Sequence, residues 1–311
     1  MRRVMQFAVL LLFWALWLGA SPHSAFASEP SVLVIPQAEV DLFWDSVRRG
    51  AEDAAAERGA RVIYRGPMTR DEYRSQQAAI VDAADKVDAI VIAPSHSAGV
   101  AEALNRARDR GIAVVVIDSA LEGTGYSSFI STDNAAAGRK AAKYLLDNTP
   151  DDAPILLLRH LEGTSSTMER ERGFSEAAES RGRGGKLVVS EYLGISPGNA
   201  YRRTLELLRE HPEVRAVFAP AELVTTACIK ALRELKLAGR VTAVGFDLTP
   251  ESRRALSDGT LSALMVQQPY RMGYLGVTTA CDVLLGKKVR NRIVTEARLV
   301  TRVEDLGSAG K

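Results

Sequence analysis

The chain has 311 residues, 46% of them apolar and 25% charged, and 40 basic against 38 acidic groups leave a net charge of +2. That length exceeds what one hydrophobic core usually holds, so two domains are expected. The balanced charge argues against a nucleic-acid or membrane surface and leaves small molecules and proteins as partners.

Arg2 and Arg3, an apolar run and Ala25-Phe26-Ala27 open the chain. This is the pattern of a signal peptide over 1–27, cleaved near Ala27, with an apolar run short of the ~20 residues a membrane span needs. An uncleaved anchor is the alternative. No cysteine follows the run, which argues against a lipid anchor, and the exported chain is expected to begin near Ser28.

SVLVIP (31–36), RVIY (61–64), DAIVIAP (88–94) and IAVVVID (112–118) then alternate with helical patterns. The first helix carries Phe43, Val47, Ala51, Ala54 and Ala55 and stops at Gly59, a left-handed cap position. Thr69 and Glu72 make a capping box for the second, whose inner face is read as Gln76, Ile80, Val81 and Ala84. Val100, Ala103, Leu104 and Ala107 form the third, stopped at Gly111. The β-branched run Val114–Ile117 is a strand buried on both faces, and it ends at Asp118, where open parallel sheets meet ligands. FISTDN (129–134) follows as a site edge and a crossover.

The same unit then repeats. Asn134 is read as the cap of a helix carrying Ala137, Ala141, Tyr144 and Leu145. Strands at 154–159, 186–190, 216–219 and 241–246 alternate with helices at 166–180, 199–210 and 224–235. Gly182, Gly184 and Gly185 lack Walker spacing and read as a solvated turn. After SALMVQQP (262–269) come a helix at Tyr270–Leu285 and a tail, Val294–Val303, with edge-strand alternation. A late helix after two complete lobes packs most economically on the first, so the chain crosses between lobes more than once. The expected fold is α/β, two doubly wound lobes with right-handed crossovers. Cys228 and Cys281 lie in different lobes and read as unpaired thiols.

No catalytic set is visible. His23, His96, His160 and His211 are scattered, and no zinc-protease, nucleophile-elbow, paired-cysteine or dinucleotide motif occurs in strand-to-helix context. No helix-turn-helix precedes the first strand, against a repressor built on such lobes. A binding protein is favoured over an enzyme, with no metal or cofactor expected. Polar and aromatic residues gather instead at strand ends: Asp41, Phe43, Trp44, Asp118, Arg170, Asp247 and Gln267. Singly the aromatics read equally as core, the aspartates as caps and Arg170 as a solvated charge. Together, carboxylates that accept hydroxyl hydrogens, a guanidinium fork and aromatic faces are what a sugar needs.

The sequence resembles a periplasmic sugar-binding protein of the ribose-binding type, the substrate-binding component of ABC importers. The likeness rests on DLFWDSVRRGAEDAA (41–55), DAIVIAP (88–94), VVVIDS (114–119), STDNAAAG (131–138), ERERGF (169–174), VGFD (244–247) and VQQP (266–269). It implies a type I periplasmic binding protein with a three-strand hinge, and lobes at 28–132 plus 268–296 and 133–267 plus 297–311. The ligand contacts it implies are Asp41, Phe43, Trp44, Asp118, Arg170, Phe246, Asp247 and Gln267. Three positions depart from the ribose-binding pattern: Ser119 replaces an arginine, Ala221 an asparagine, and Asp41 an asparagine. These point to a sugar or polyol other than ribose, with a larger one an option, and Gln37 and Glu39 in the first loop could compensate. The resemblance implies a periplasmic monomer that delivers its ligand to a membrane permease. A sensor of the same fold that signals to a receptor kinase is the alternative, and a secreted α/β enzyme a third class.

Overall fold

The computed structural model describes residues 26, 28–39, 42–68 and 73–308. Within the strand Ser31–Ile35 (β1), Val32 and Val34 enter one core while Leu33 and Ile35 enter another. In Ala113–Ile117 (β4), Val115 and Ile117 join the first core, Val114 and Val116 the second. Burial on both sides requires helices on both faces of the sheet. Leu42–Arg58 (α1) and, from the far end of the chain, Pro269–Leu284 (α9) cover one face; Tyr73–Ala83 (α2) and Ala101–Asp109 (α3) cover the other. With Arg61–Tyr64 (β2), Ala89–Ile92 (β3), Ser128–Thr132 (β5) and Arg292–Thr295 (β11), the strands order as β11-β5-β4-β3-β1-β2, all parallel.

The second sheet repeats this plan. Ile155–Arg159 (β6), Leu187–Tyr192 (β7), Ala216–Phe218 (β8), Thr242–Phe246 (β9), Ala263–Val266 (β10) and Arg298–Val300 (β12) order as β12-β10-β9-β8-β6-β7. Only β12 runs antiparallel to its neighbour. Asn134–Asp147 (α4) and Ser165–Ser180 (α5) pack on one face; Pro197–Glu210 (α6), Glu222–Glu234 (α7) and Pro250–Ser257 (α8) pack on the other. Both lobes are doubly wound, as the alternation implied. The chain passes between the sheets three times: from β5 to α4, from β10 to α9, and from β11 to β12.

Several local readings change. The tail expected as one edge strand is two, because Glu296 and Ala297 carry the chain from the edge of one sheet to the edge of the other. Asn134 does not cap α4. Asp133 does, accepting from the backbone N–H of Ala136 at 2.9 Å, which leaves Asn134 buried and turned to another task. Val81 is 58% exposed, while Gln76, Ala79 and Ile80 form the buried face of α2. The capping box at Thr69 and Glu72, the leader over 1–27 apart from Phe26, and Asp41 lie outside the described residues. Gly59 takes the left-handed conformation expected of it, with φ 64°. Cys228 and Cys281 are buried and unbridged, and burial pushes the Cys228 thiol up to about 12. No helix of the described residues is long and apolar enough to cross a membrane.

One packing device occurs in both lobes. A Cβ on Gly50 of α1 would overlap the carbonyl of Tyr270 in α9, and one on Gly273 would overlap that of Val47. In the other lobe a Cβ on Gly138 of α4 would overlap the carbonyl of Arg170 in α5, and one on Gly173 that of Ala135. Each helix pair therefore packs backbone to backbone beside a crossover. Gly138→Ala and Gly273→Ala are each expected to cost at least the ~1–3 kcal/mol of an overpacked core. Gly198→Ala, in α6 with open space around it, is expected to melt at or above the parent temperature. Scanning calorimetry that found all three variants equally stable would contradict the close contact.

Candidate functional site

Parallel strands bring their carboxyl ends to one edge, and the two lobes face each other across those edges. The fourth strand of each lobe ends in the same way. Asp118 follows β4 with φ 59° and Asp247 follows β9 with φ 73°, both left-handed, a conformation that aspartate tolerates better than most residues. Each donates its backbone N–H at 2.9 Å to the next strand of its sheet, Asp118 to Ile130 and Asp247 to Met265. A single left-handed residue thus sets a carboxylate at each strand tip.

Arg170 lies in the second turn of α5 and is 3% exposed. Its Nε donates to Asn134 Oδ1 at 2.8 Å, Nη1 to the Pro220 carbonyl at 2.9 Å and Nη2 to Gln267 Oε1 at 3.0 Å. The guanidinium lies 3.8 Å above the centre of the Phe246 ring. Gln267 also accepts from Thr132 Oγ1 at 2.8 Å and donates through Nε2 to Asp247 Oδ1 at 2.7 Å. Two of the three crossovers, at Thr132–Asn134 and at Gln267, are thereby tied to one arginine. From the other lobe Phe43 and Trp44 arrive on the first turn of α1, edge to face with centroids 4.9 Å apart.

Phe43, Trp44, Asp118, Arg170, Ala221, Asp247 and Gln267 line a common cavity of about 20 Å³, close to the room of a single water. The cavity is small because the lobes are shut on it. Ser119 Oγ meets Ser166 Oγ at 3.2 Å, and the Ala120 N–H donates to Ser165 Oγ at 2.8 Å. The remaining candidates fall beside the cavity rather than on it. Phe246 is a fully buried core residue that supports the guanidinium from beneath. Ser119 and Gln37 are joined at 2.8 Å, and Gln37 also donates to the Pro94 carbonyl at 2.8 Å, so Gln37 braces the loop that carries Ser119. Glu39 is exposed and accepts from the Gly66 N–H at 2.7 Å.

Sequence reasoning missed three lining residues, Thr164, Ser166 and Thr167. They stand in GTSST, just past the end of β6, and the strand-end rule applied to that loop finds them. It also missed Asn134 as the partner of Arg170, and the hydrogen bonds of Gln76, which it placed on the inner face of α2. That glutamine donates to the carbonyls of Pro36 and Ala93 and accepts from Ser95, pinning the loops after β1 and β3 together. Among the described residues no cluster of His, Cys, Asp or Glu is arranged to hold a metal ion.

Beside Arg170, Glu171 is buried, and desolvation pushes its carboxyl above the ordinary range although His160 N–H and Arg159 Nε donate to it at 3.1 and 3.3 Å. With a folded pKa above the unfolded ~4.3, its contribution favours folding most at low pH and is lost as pH rises through the raised value. Glu171→Gln is therefore expected to melt higher than the parent at pH 7, with the gap closing as pH falls toward the ordinary carboxylate range. A lower melting temperature at pH 7 would mean that the ion pair with Arg159 outweighs burial.

Residues 31–288 match the family described as "Periplasmic binding protein domain". The chain is 32% identical to the ribose import binding protein of Escherichia coli (strain K12), over 68% of this chain and 71% of that one. A solved periplasmic component of an ABC-type sugar transport system from Hahella chejuensis superposes with a TM-score of 0.83 at 31% identity, over 87% of this chain and 99% of that one. An ABC transporter solute-binding protein from Agrobacterium vitis with bound D-fucose gives 0.84 at 28% identity, over 89% and 97%. With two doubly wound lobes shut over strand-tip carboxylates, this chain belongs to the periplasmic binding protein family, in its ribose-binding type.

Proposed function

We propose that the protein captures one sugar or related polyol in the cleft and delivers it to an ABC-type importer, as an exported monomer of the periplasm. The observation that carries this reading is the lining of the cavity. A carboxylate from each lobe, a buried guanidinium and the Phe43–Trp44 pair meet at one point, and hydroxyl-rich Thr164–Thr167 closes it. A polyol offers both donors and acceptors to such a ring and C–H surface to the aromatics. The names of the relatives support the choice of sugar and importer, and the leader pattern over 1–27 supports export. Asp41, Phe43, Trp44, Asp118, Arg170, Asp247 and Gln267 are the proposed contacts. The lobes, 28–132 plus 268–296 and 133–267 plus 297–311, move about the three crossovers. Because the contacts are divided between the lobes, a ligand has more of them in the closed form and shifts the population toward it.

A thermal-shift and calorimetric screen of sugars and polyols tests this. A binder at a hundred times its dissociation constant stabilises by ~2.7 kcal/mol, a clear shift in melting temperature. Response to amino acids or oligopeptides alone would sink the reading. Arg170→Met keeps most of the volume but leaves Asn134 Oδ1 and the Pro220 carbonyl without their donor, so the sugar-free protein is expected to fold with a stability lowered by ~1–3 kcal/mol for each. Its sugar affinity is expected to fall at least ten- to hundredfold, the worth of one charged hydrogen bond of ~1.5–3 kcal/mol. Unchanged affinity would remove Arg170 from the site. In small-angle scattering, the radius of gyration is expected to fall at saturation; an unchanged radius would mean that ligand does not close the lobes.

A further inference from the structure

With the lobes shut, space persists between them beside the inner cavity. A second cavity of about 380 Å³ flanks the crossover from β10 to α9, against about 20 Å³ for the inner one. The two share three wall residues, Phe43, Asp247 and Gln267, so they are neighbouring compartments of one cleft. The outer one draws Ser46 of α1 and Tyr270 of α9 from one lobe, and Glu222 of α7 and Leu248 from the other. Its volume falls in the roughly 300–1,000 Å³ range of small-molecule pockets.

The lining is amphipathic in the manner of a sugar ring. Leu42 and Leu248, 49% and 37% exposed, are large apolar side chains left uncovered at its wall. Polar groups stand between them, including Ser46 and the Tyr270 hydroxyl, which donates to Asp53 at 2.8 Å. The charged side chains of Arg49, Glu222 and Arg271 complete the wall, with Gln268 beside them. Such groups offer donors and acceptors to the hydroxyls of a sugar ring.

We propose that the outer cavity is a second subsite, and that the substrate is a glycoside or disaccharide rather than a free monosaccharide. With the lobes parted to admit it, one ring occupies the inner compartment and the substituent or second ring passes Phe43, Asp247 and Gln267 to lie against Leu42 and Leu248. The inference rests on the sugar-binding reading above and narrows its substrate class.

The test is calorimetry of the full exported chain against matched probes: D-glucose, D-galactose, D-ribose and D-allose, their methyl and phenyl glycosides, and the disaccharides cellobiose, maltose, lactose and melibiose. At least one glycoside or disaccharide is expected to bind tenfold or more tightly than its parent monosaccharide. Ser46→Phe, which fills the outer cavity from α1, is expected to erase that advantage while leaving monosaccharide affinity unchanged. Ligand-free melting curves report whether that variant is folded. Monosaccharides that bind as tightly as every extended probe, with Ser46→Phe indifferent to all, would overturn the second subsite while leaving sugar binding intact. Binding of no sugar of either kind would overturn the sugar reading itself.

Discussion

Burying the Arg170 guanidinium at the junction of the lobes is the constraint on which the rest of the site depends. A charge taken out of water costs several kcal/mol unless every donor is matched. Here the match comes from three separate segments: Asn134 at the first crossover, the Pro220 carbonyl after β8, and Gln267 at the second crossover. The Phe246 ring lies beneath, which adds a cation–π contact. Because two of the three partners sit at chain crossings, satisfying the arginine fixes how α4, α5, β8 and β10 meet. Asn134 is free for this only because Asp133 takes over the helix cap.

The two lobes solve one packing problem twice. A helix that enters from a crossover must come close to the helix that follows the lobe's first strand, so that both present their amino ends to the cleft. In each pair two glycines let backbone touch backbone, Gly50 with Gly273 and Gly138 with Gly173. Phe43, Trp44 and Arg170 all project from the first or second turn of helices locked this way. Precise placement of side chains at a cleft is best supplied by rigid elements rather than loops. The left-handed aspartates complete the same symmetry, one at the tip of the fourth strand of each lobe.

The architecture was legible because strand burial on both faces leaves continuous β-branched runs such as Val114–Ile117, and because strand-to-helix alternation admits few topologies. The return of α9 to the first lobe followed from the same economy. What escaped was local competition. Asp133 and Asn134 are both good caps, and propensity alone does not say which wins. Phe246 has the composition of a contact residue but alternates inward on β9, and Glu39 is drawn to the Gly66 N–H. Thr164, Ser166 and Thr167 were missed because short hydroxyl side chains carry no motif, whereas Asp118 and Arg170 announce themselves by charge at an apolar boundary.

The satisfied state of the shut cleft also bears on where binding energy comes from. Gln267 and Asp247 already bond to each other, Arg170 is matched on three sides, and Ser119 meets Ser166 across the lobes. A sugar that displaces these bonds exchanges one set of hydrogen bonds for another, and such an exchange nets little. Net affinity then draws on the charged hydrogen bonds of Arg170 and on dispersion against the Phe43–Trp44 edge. A cleft built in this way discriminates by shape as well as by hydrogen-bond count, because a poorly fitting polyol loses to the protein's own internal bonds, and only a ligand that fills the space around them shifts the balance.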